Sequence, residues 1–338
     1  MDNRLPTVTV VVPCRNEKEV IEACVRSILA QEVPSGGLEI IVVDGMSDDG
    51  TREILDRLGA TDPRLRIVDN PQRTTPCARN AGIQAARGSY IAILDAHTEY
   101  SPTYIRTCLE LLMEHPEVCC AGGPIVSRGK SRFGQAVAVA MSHPLGVGNA
   151  KHRFPDYEGY AEGACFPMFR RGVFEEVGLF DEELVRNQDD EFNLRIARSG
   201  GKVFISPRAR CVYFVREAPS LLFRQYFQYG YWRVAVLKKH QRFASLRQAA
   251  PTLFFALTVL VAGGAWYAGR WLFLAPVLPL AYSLILIAAG AQVASRAGFR
   301  TGLLFPVAAT IMHFAYAVGF AWGVAGFRSH RLTSSISR

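Results

Sequence analysis

The chain has 338 residues, enough for one large domain or two modest ones. Its charge is divided: residues 1–217 carry all 30 Asp and Glu with 26 Lys and Arg, a net of 26 − 30 = −4, whereas residues 218–338 carry 12 Lys and Arg and no acid. A basic nucleic-acid binder would not segregate charge in this way, so that class of partner is excluded, and a mixed-charge front part joined to a basic, apolar tail is expected. Eight cysteines occur without a CxxC pair. That argues against a zinc ribbon or a disulfide scaffold and fits a front part working in a reducing cytoplasm. The N-terminal apolar run is too short for a signal peptide.

In chain order, TVTVVVP (7–13) is a β-branched run that predicts a first strand, and Glu17 to Gln31 places Val20, Cys24, Ile28 and Leu29 at helical spacing. LEIIVVDG (38–45) predicts a second strand, after which Asp48 and Asp49 cap a helix carrying Ile54, Leu55 and Leu58. LRIVDN (65–70) is a third strand, Cys77 to Ala86 a helix closed by Gly88, and SYIAILDA (89–96) a fourth strand. Strand–helix alternation with continuously apolar strands implies a parallel sheet covered on both faces, whose ligands bind at the carboxyl ends of the strands. The polar residues collect there: Pro13, Arg15 and Glu17 after the first strand, Asp44 after the second, Asp95 and His97 after the fourth. The GxGxxG and GxxxxGK[ST] loops are absent, which argues against a dehydrogenase or a P-loop NTPase.

The tail holds three charge-free stretches, 248–269, 271–295 and 301–327. Each exceeds the roughly 20 apolar residues that a membrane-crossing helix needs. Before them, residues 218–247 interleave aromatics with Arg224, Arg233, Lys238, Lys239, Arg242 and Arg247. This reads as an interfacial helix on the anionic, cytoplasmic side of a membrane. Three spans would leave Arg328, Arg331 and Arg338 outside, against the positive-inside tendency. The expected organisation is a catalytic domain at 1–217, the interfacial helix at 218–247, about three spans within 248–330, and a tail at 331–338.

The stretches VVPCRNE (11–17), VVDGMSDDGT (42–51), ARNAGIQAARGSYIAILDAH (78–97), FRRGVFEEVGLFDE (169–182) and NQDDEFNLRI (187–196) occur together and in order. With them the chain resembles a family-2 glycosyltransferase of the GT-A fold over roughly residues 7–215. With its tail it is most similar to membrane-bound glucosyltransferases of bacterial exopolysaccharide assembly, of the succinoglycan-synthesis type. The resemblance implies an α/β, mostly parallel GT-A sheet followed by an all-α membrane region in the bacterial inner membrane. It implies inverting transfer from a UDP-sugar, with glucose the first candidate, to an isoprenoid-linked or membrane glycan acceptor.

That chemistry has separate requirements. A sugar diphosphate leaves readily only when its charge is neutralised, which a divalent cation does as a Lewis acid. An acceptor hydroxyl must lose its proton to a carboxylate, and inversion puts that carboxylate on the opposite side of the sugar from the metal. The resemblance assigns Asp95 and His97 to the site of the cation (Mn²⁺ or Mg²⁺), where Asp-x-Asp is commoner. A strand-end cap is the other reading of His97. Asp189 matches the catalytic base, with Asp190 the alternative if the register slips by one. Pro13, Arg15, Glu17, Asp44 and Arg79 match donor-nucleotide positions, while Asn80 reads as fixing a local turn. Glu162, Gln188 and Trp232 stand near the donor or acceptor sugar, Trp232 equally as a membrane-interface anchor. A nucleotidyltransferase on a similar sheet, or a membrane scaffold with a degenerate domain, are the alternatives. The first would need a Lys-bearing glycine-rich loop after strand one, and the second would have lost Asp95 or Asp189.

Overall fold

The computed structural model describes residues 7–32, 36–241, 248–268 and 275–326. Residues 242–247 of the expected interfacial helix, 269–274, and the tail at 331–338 lie outside that range. The chain divides into two compact units, residues 1–126 with 150–213, and residues 127–149 with 214–338.

The elements run in order: β1 (Val8–Cys14), α1 (Ile21–Leu29), β2 (Leu38–Asp44), α2 (Thr51–Thr61), β3 (Leu65–Asp69), α3 (Thr75–Ala85), β4 (Tyr90–Ile93), α4 (Tyr104–Glu114), β5 (Val118–Gly123) and β6 (Ile125–Arg128). Then come α5 (Arg132–Ala140), α6 (Pro144–Val147), β7 (Gly159–Ala161), β8 (Cys165–Arg170), α7 (Gly172–Val177), α8 (Gln188–Arg198), β9 (Lys202–Ile205) and β10 (Cys211–Phe214). Four helices close the described chain: α9 (Pro219–His240), α10 (Ala250–Tyr267), α11 (Val277–Ala297) and α12 (Phe299–Gly326).

The first unit is built on an eight-stranded sheet in the order β3-β2-β1-β4-β8-β5-β9-β7. β3, β2, β1 and β4 are parallel, as the sequence implied. β8 runs antiparallel between β4 and β5, and β9 returns parallel to β5. Side chains alternate across a strand, so a strand buried on both faces feeds two cores. Val10, Val12, Ile40 and Val42 belong to one cluster, and Val11, Ile41 and Val43 to the other. On the second face α3 lies close to the sheet because residue 82 is glycine. A methyl group there would overlap the Val11 side chain.

The two ends of the sheet are treated differently. At the amino end of β2, buried Glu39 accepts from Thr9 Oγ1 (2.8 Å), the Arg87 amide (3.0 Å) and Arg66 Nη1 (2.5 Å). A buried carboxylate with that many donors is stable in place and has nothing left for a ligand. At the carboxyl ends the backbone is distorted: Asn16 (55°), Met46 (57°) and Arg73 (59°) in the loops after β1, β2 and β3, Phe166 (47°) at the start of β8 and Asn187 (58°) before α8 have positive φ without being glycine. Such backbone persists only where the surroundings enforce it, and it gathers at working sites.

In the second unit α5, α9, α10 and α11 all pack against α12. Ala250–Tyr267, Val277–Ala297 and Phe299–Gly326 are long and apolar enough to cross a membrane. Small residues let the backbones approach. Gly290 and Gly302 face one another between α11 and α12, while Gly319 and Gly323 lie against Phe227 and Tyr231 of α9. Residues 230–236 of α9 are buried on every face. Over that stretch the helix is internal, where the sequence suggested one lying on a surface. Its exposed cations are Arg224, Lys238 and Lys239.

Gly82→Val should force α3 off the sheet. Overpacking of this kind costs about 1–3 kcal/mol, so urea unfolding of the purified protein should show a lowered midpoint with an unchanged slope.

Candidate active site

The parallel strands deliver their acids to one edge. Asp44, the last residue of β2, is 1% exposed. It accepts from Ser47 Oγ (2.6 Å) and, at 3.4 Å, from Arg52 Nη1, which also bonds Asp69 (2.5 Å). After β1, the Arg15 stem lies over Gly45, where any side chain would crowd it. Asn16 ties this loop to the next, donating from Nδ2 to Asp48 and from its amide to Ser47. Asp48 is thus a loop tie, while Asp49 accepts from the Thr51 amide (3.0 Å) at the start of α2. The cap expected of both acids falls to Asp49 alone. Pro13 and Glu17 are half-buried and Arg15 is exposed.

Asp95 lies two residues past β4. Its amide donates to Tyr100 Oη (2.8 Å), and its carbonyl accepts from Cys24 Sγ (3.3 Å). The backbone is therefore pinned and the half-buried side chain projects from a fixed point. His97 Nδ1 stands 3.6 Å from Glu17 Oε1, which links the loops after β1 and β4. The sequence offered no sign of this pairing.

α8 supplies the second acidic group. Its N-cap, Asn187, is left-handed, and Asp189 and Asp190 occupy the first turn, where helix amides favour negative charge. Glu191, by contrast, is buried and clamped by its i,i+4 neighbour Arg195 (2.8 and 2.9 Å). Asp189 is exposed and Asp190 half-buried. Buried Gln188 has a side-chain oxygen with no hydrogen-bond partner among the described residues.

Three thiols register how these acids sit. Burial, then Asp44 and Glu17, push the Cys14 thiol far above its ordinary range. Burial raises Cys24 to about 12, with Asp95 and Glu17 adding to it against a backbone hydrogen bond from Thr98. Burial also raises Cys165 to about 12; Arg153 opposes the rise, and Asp189, Asp95 and Asp190 reinforce it. Glu17 is common to the first two thiols and Asp95 to the last two. The acids at the ends of β2, β1 and β4 and at the start of α8 thus act in overlapping sets on these three thiols. Protonated thiols are poor nucleophiles, so these cysteines are packing residues.

Of the other residues singled out, Arg79 lies over the Phe180 ring (5.1 Å). Asn80 joins Phe180 and Glu182 through bonds of 2.9 Å, a junction a hundred residues away in place of the local turn expected. Exposed Glu162 lines a cavity of about 330 Å³ with Tyr160, Asn193 and Lys202. Trp232 is buried in α9 of the second unit, against Tyr231. Arg52 and Arg153 went unnoticed in the sequence, because nothing in their local pattern marks them.

No group of three or more metal-ligating side chains occurs among the described residues. Mg²⁺ and ions like it are commonly held by one or two carboxylates together with phosphate oxygens. A single carboxylate at Asp95 with an imidazole at His97 fits an ion shared with a diphosphate better than a closed protein cage.

The chain matches the family model "Glycosyl transferase family 2" over residues 9–178. It is 33% identical over 331 residues to the succinoglycan biosynthesis protein ExoA of Rhizobium meliloti (strain 1021), covering 94% of this chain and 95% of the relative. It is 26% identical to a dolichyl N-acetyl-alpha-D-glucosaminyl phosphate glucuronosyltransferase of Methanococcus voltae, covering 69% of this chain and 74% of the relative. Among solved structures it is similar to the mannosyltransferase PcManGT from Pyrobaculum calidifontis, at 23% identity and a TM-score of 0.60, over 95% of this chain and 88% of that one. The strand ends, the two acidic groups and these matches together establish that the chain belongs to glycosyl transferase family 2.

Proposed function

We propose that this glycosyltransferase works in polysaccharide synthesis at a bacterial plasma membrane. In this reading it is an inverting, metal-dependent enzyme that moves a hexose, glucose as first candidate, from a UDP-sugar to a lipid-linked or membrane glycan acceptor. Its catalytic unit faces the cytoplasm. What supports the reading is that Asp95 from the end of β4, and Asp189 with Asp190 from the start of α8, all lie within electrostatic reach of the Cys165 thiol. One transferase site needs both, the first beside the leaving diphosphate and the second beside the incoming hydroxyl.

The relatives lend support. ExoA is described as a succinoglycan biosynthesis protein, and the Methanococcus relative as acting on a dolichyl phosphate sugar. The PcManGT structure is a complex with GDP-Man and Mn²⁺, which supports a nucleotide-sugar donor and a divalent ion here. A cation bound at Asp95 and His97 would supply Lewis-acid neutralisation of the departing diphosphate. The protein's own residues do the rest. Asp44, held by Ser47 and Arg52, presents a fixed acceptor to the donor's base or ribose. Arg15 and Arg79 offer charge to the diphosphate. Asp189, exposed at a helix start, takes the acceptor proton. Glu191 is excluded as the base because Arg195 holds both of its oxygens.

Asp189→Asn should cut transfer by about 10²–10⁴, the usual contribution of a general base, and leave donor binding near normal. Near-normal turnover would move the base to Asp190. Asp95→Ala should weaken Mn²⁺-dependent UDP binding in a calorimetric titration, while binding without metal changes little. His97→Asp should keep activity with an altered metal preference. If His97→Ala leaves metal-dependent turnover untouched, His97 serves as a tether to Glu17. Release of nucleoside diphosphate from UDP-glucose and GDP-mannose, with and without Mn²⁺, tests donor and metal together.

A further inference from the structure

Residues 127–149 belong to the second unit, although they interrupt the chain of the first. They contain α5 and α6, and both pack against α12. His143, the residue before α6, sets its ring against Phe305 (4.9 Å between centroids). His313 bonds Tyr282 of α11 across 2.9 Å and reaches the backbone of Leu145 and Gly146. Phe305 and His313 are six and fourteen residues into the helix that starts at Phe299. At about 1.5 Å per residue these are about 9 and 21 Å along a helix about 42 Å long. α6 therefore sits beside the middle of α12.

If α12 crosses a bilayer whose hydrocarbon core is about 30 Å thick, that level lies within the hydrocarbon. Two further observations fit residence there. Residues 133–150 carry no Lys, Arg, Asp or Glu. Their backbone is also satisfied locally, as a lipid phase requires. The Ser131 hydroxyl accepts the Gly134 amide, and His143 Nδ1 accepts that of Leu145. The amides of Met141, Ser142, Gly146, Val147 and Gly148 bond carbonyls three or four residues back. Gly146 makes the turn tight, since any side chain there would strike the Ala140 carbonyl.

We propose that residues 132–148 form a re-entrant helical hairpin that enters the bilayer beside α12, with Leu145, which is 38% exposed, meeting lipid acyl chains. This rests on reading α10–α12 as membrane-crossing, and the test separates the two readings. In membranes opened to water on both faces, Leu145→Cys, Ile285→Cys on exposed α11 and Glu158→Cys on the first unit are treated with a polar maleimide. Labelling is read peptide by peptide. A thiol in hydrocarbon cannot form the reactive thiolate, so Leu145→Cys should react at least about tenfold more slowly than Glu158→Cys and much as Ile285→Cys does. A benzophenone amino acid at 145 should yield a phospholipid adduct by mass, as it should at 285. Rapid labelling at 145 with protection at 285 overturns the hairpin and keeps the spans. Rapid labelling at both overturns the spans and the hairpin with them. Protection at 145 with no lipid adduct, while 285 gives one, means burial in protein and also overturns the proposal.

Discussion

The gathering of carboxylates at the carboxyl ends of one sheet is the constraint around which the first unit is organised. Asp44, Glu17, Asp95, Asp189 and Asp190 act in overlapping sets on Cys14, Cys24 and Cys165. The rest of the sheet is built of continuously apolar strands, with Glu39 saturated at the opposite end. The strained backbone at Asn16, Met46, Phe166 and Asn187 belongs to the same pattern, because distortion tolerated at an edge is supported by regular structure behind it.

The half of the sheet that can be read from sequence is the parallel half. β1, β2, β3 and β4 are short, β-branched and closed by turn residues, so strand identity and the polar exits at Asp44 and Asp95 follow from local pattern. The other half is mixed. β8 is the seventh strand of this sheet in chain order yet lies at its centre, and its residues Cys165–Arg170 show no alternation that would betray this. The site follows the same division. Asp189 is visible through its match to a family motif, since acids clustered at a helix start suit a solvated helix end equally well. The His97–Glu17 approach joins residues eighty apart, and Arg153 acts on Cys165 from a short turn without any motif.

The second unit was legible in composition and hidden in connectivity. Three charge-free stretches announce α10, α11 and α12. The attachment of α5 and α6 to α12 could not be read, since the contact between His143 and Phe305 spans more than 160 residues. The central burial of α9 was likewise masked by its arginines and tyrosines, which suggest a surface by type alone. Glycines at 230, 319 and 323 explain the discrepancy, since they let α9 and α12 close on each other along their backbones.

The place of α12 in the chain bears on how the protein is made. α5, α9, α10 and α11 all rest on it, and all precede it. During synthesis these helices wait for their common partner, with apolar faces and glycine seams uncovered, until residues 299–326 emerge. The sheet faces a milder version of the same delay, because β5 cannot gain its neighbour β8 until the hairpin at 127–149 has been passed. A ribosome pausing before residue 299 would therefore leave every strand of the sheet already made and attached to an unassembled set of helices.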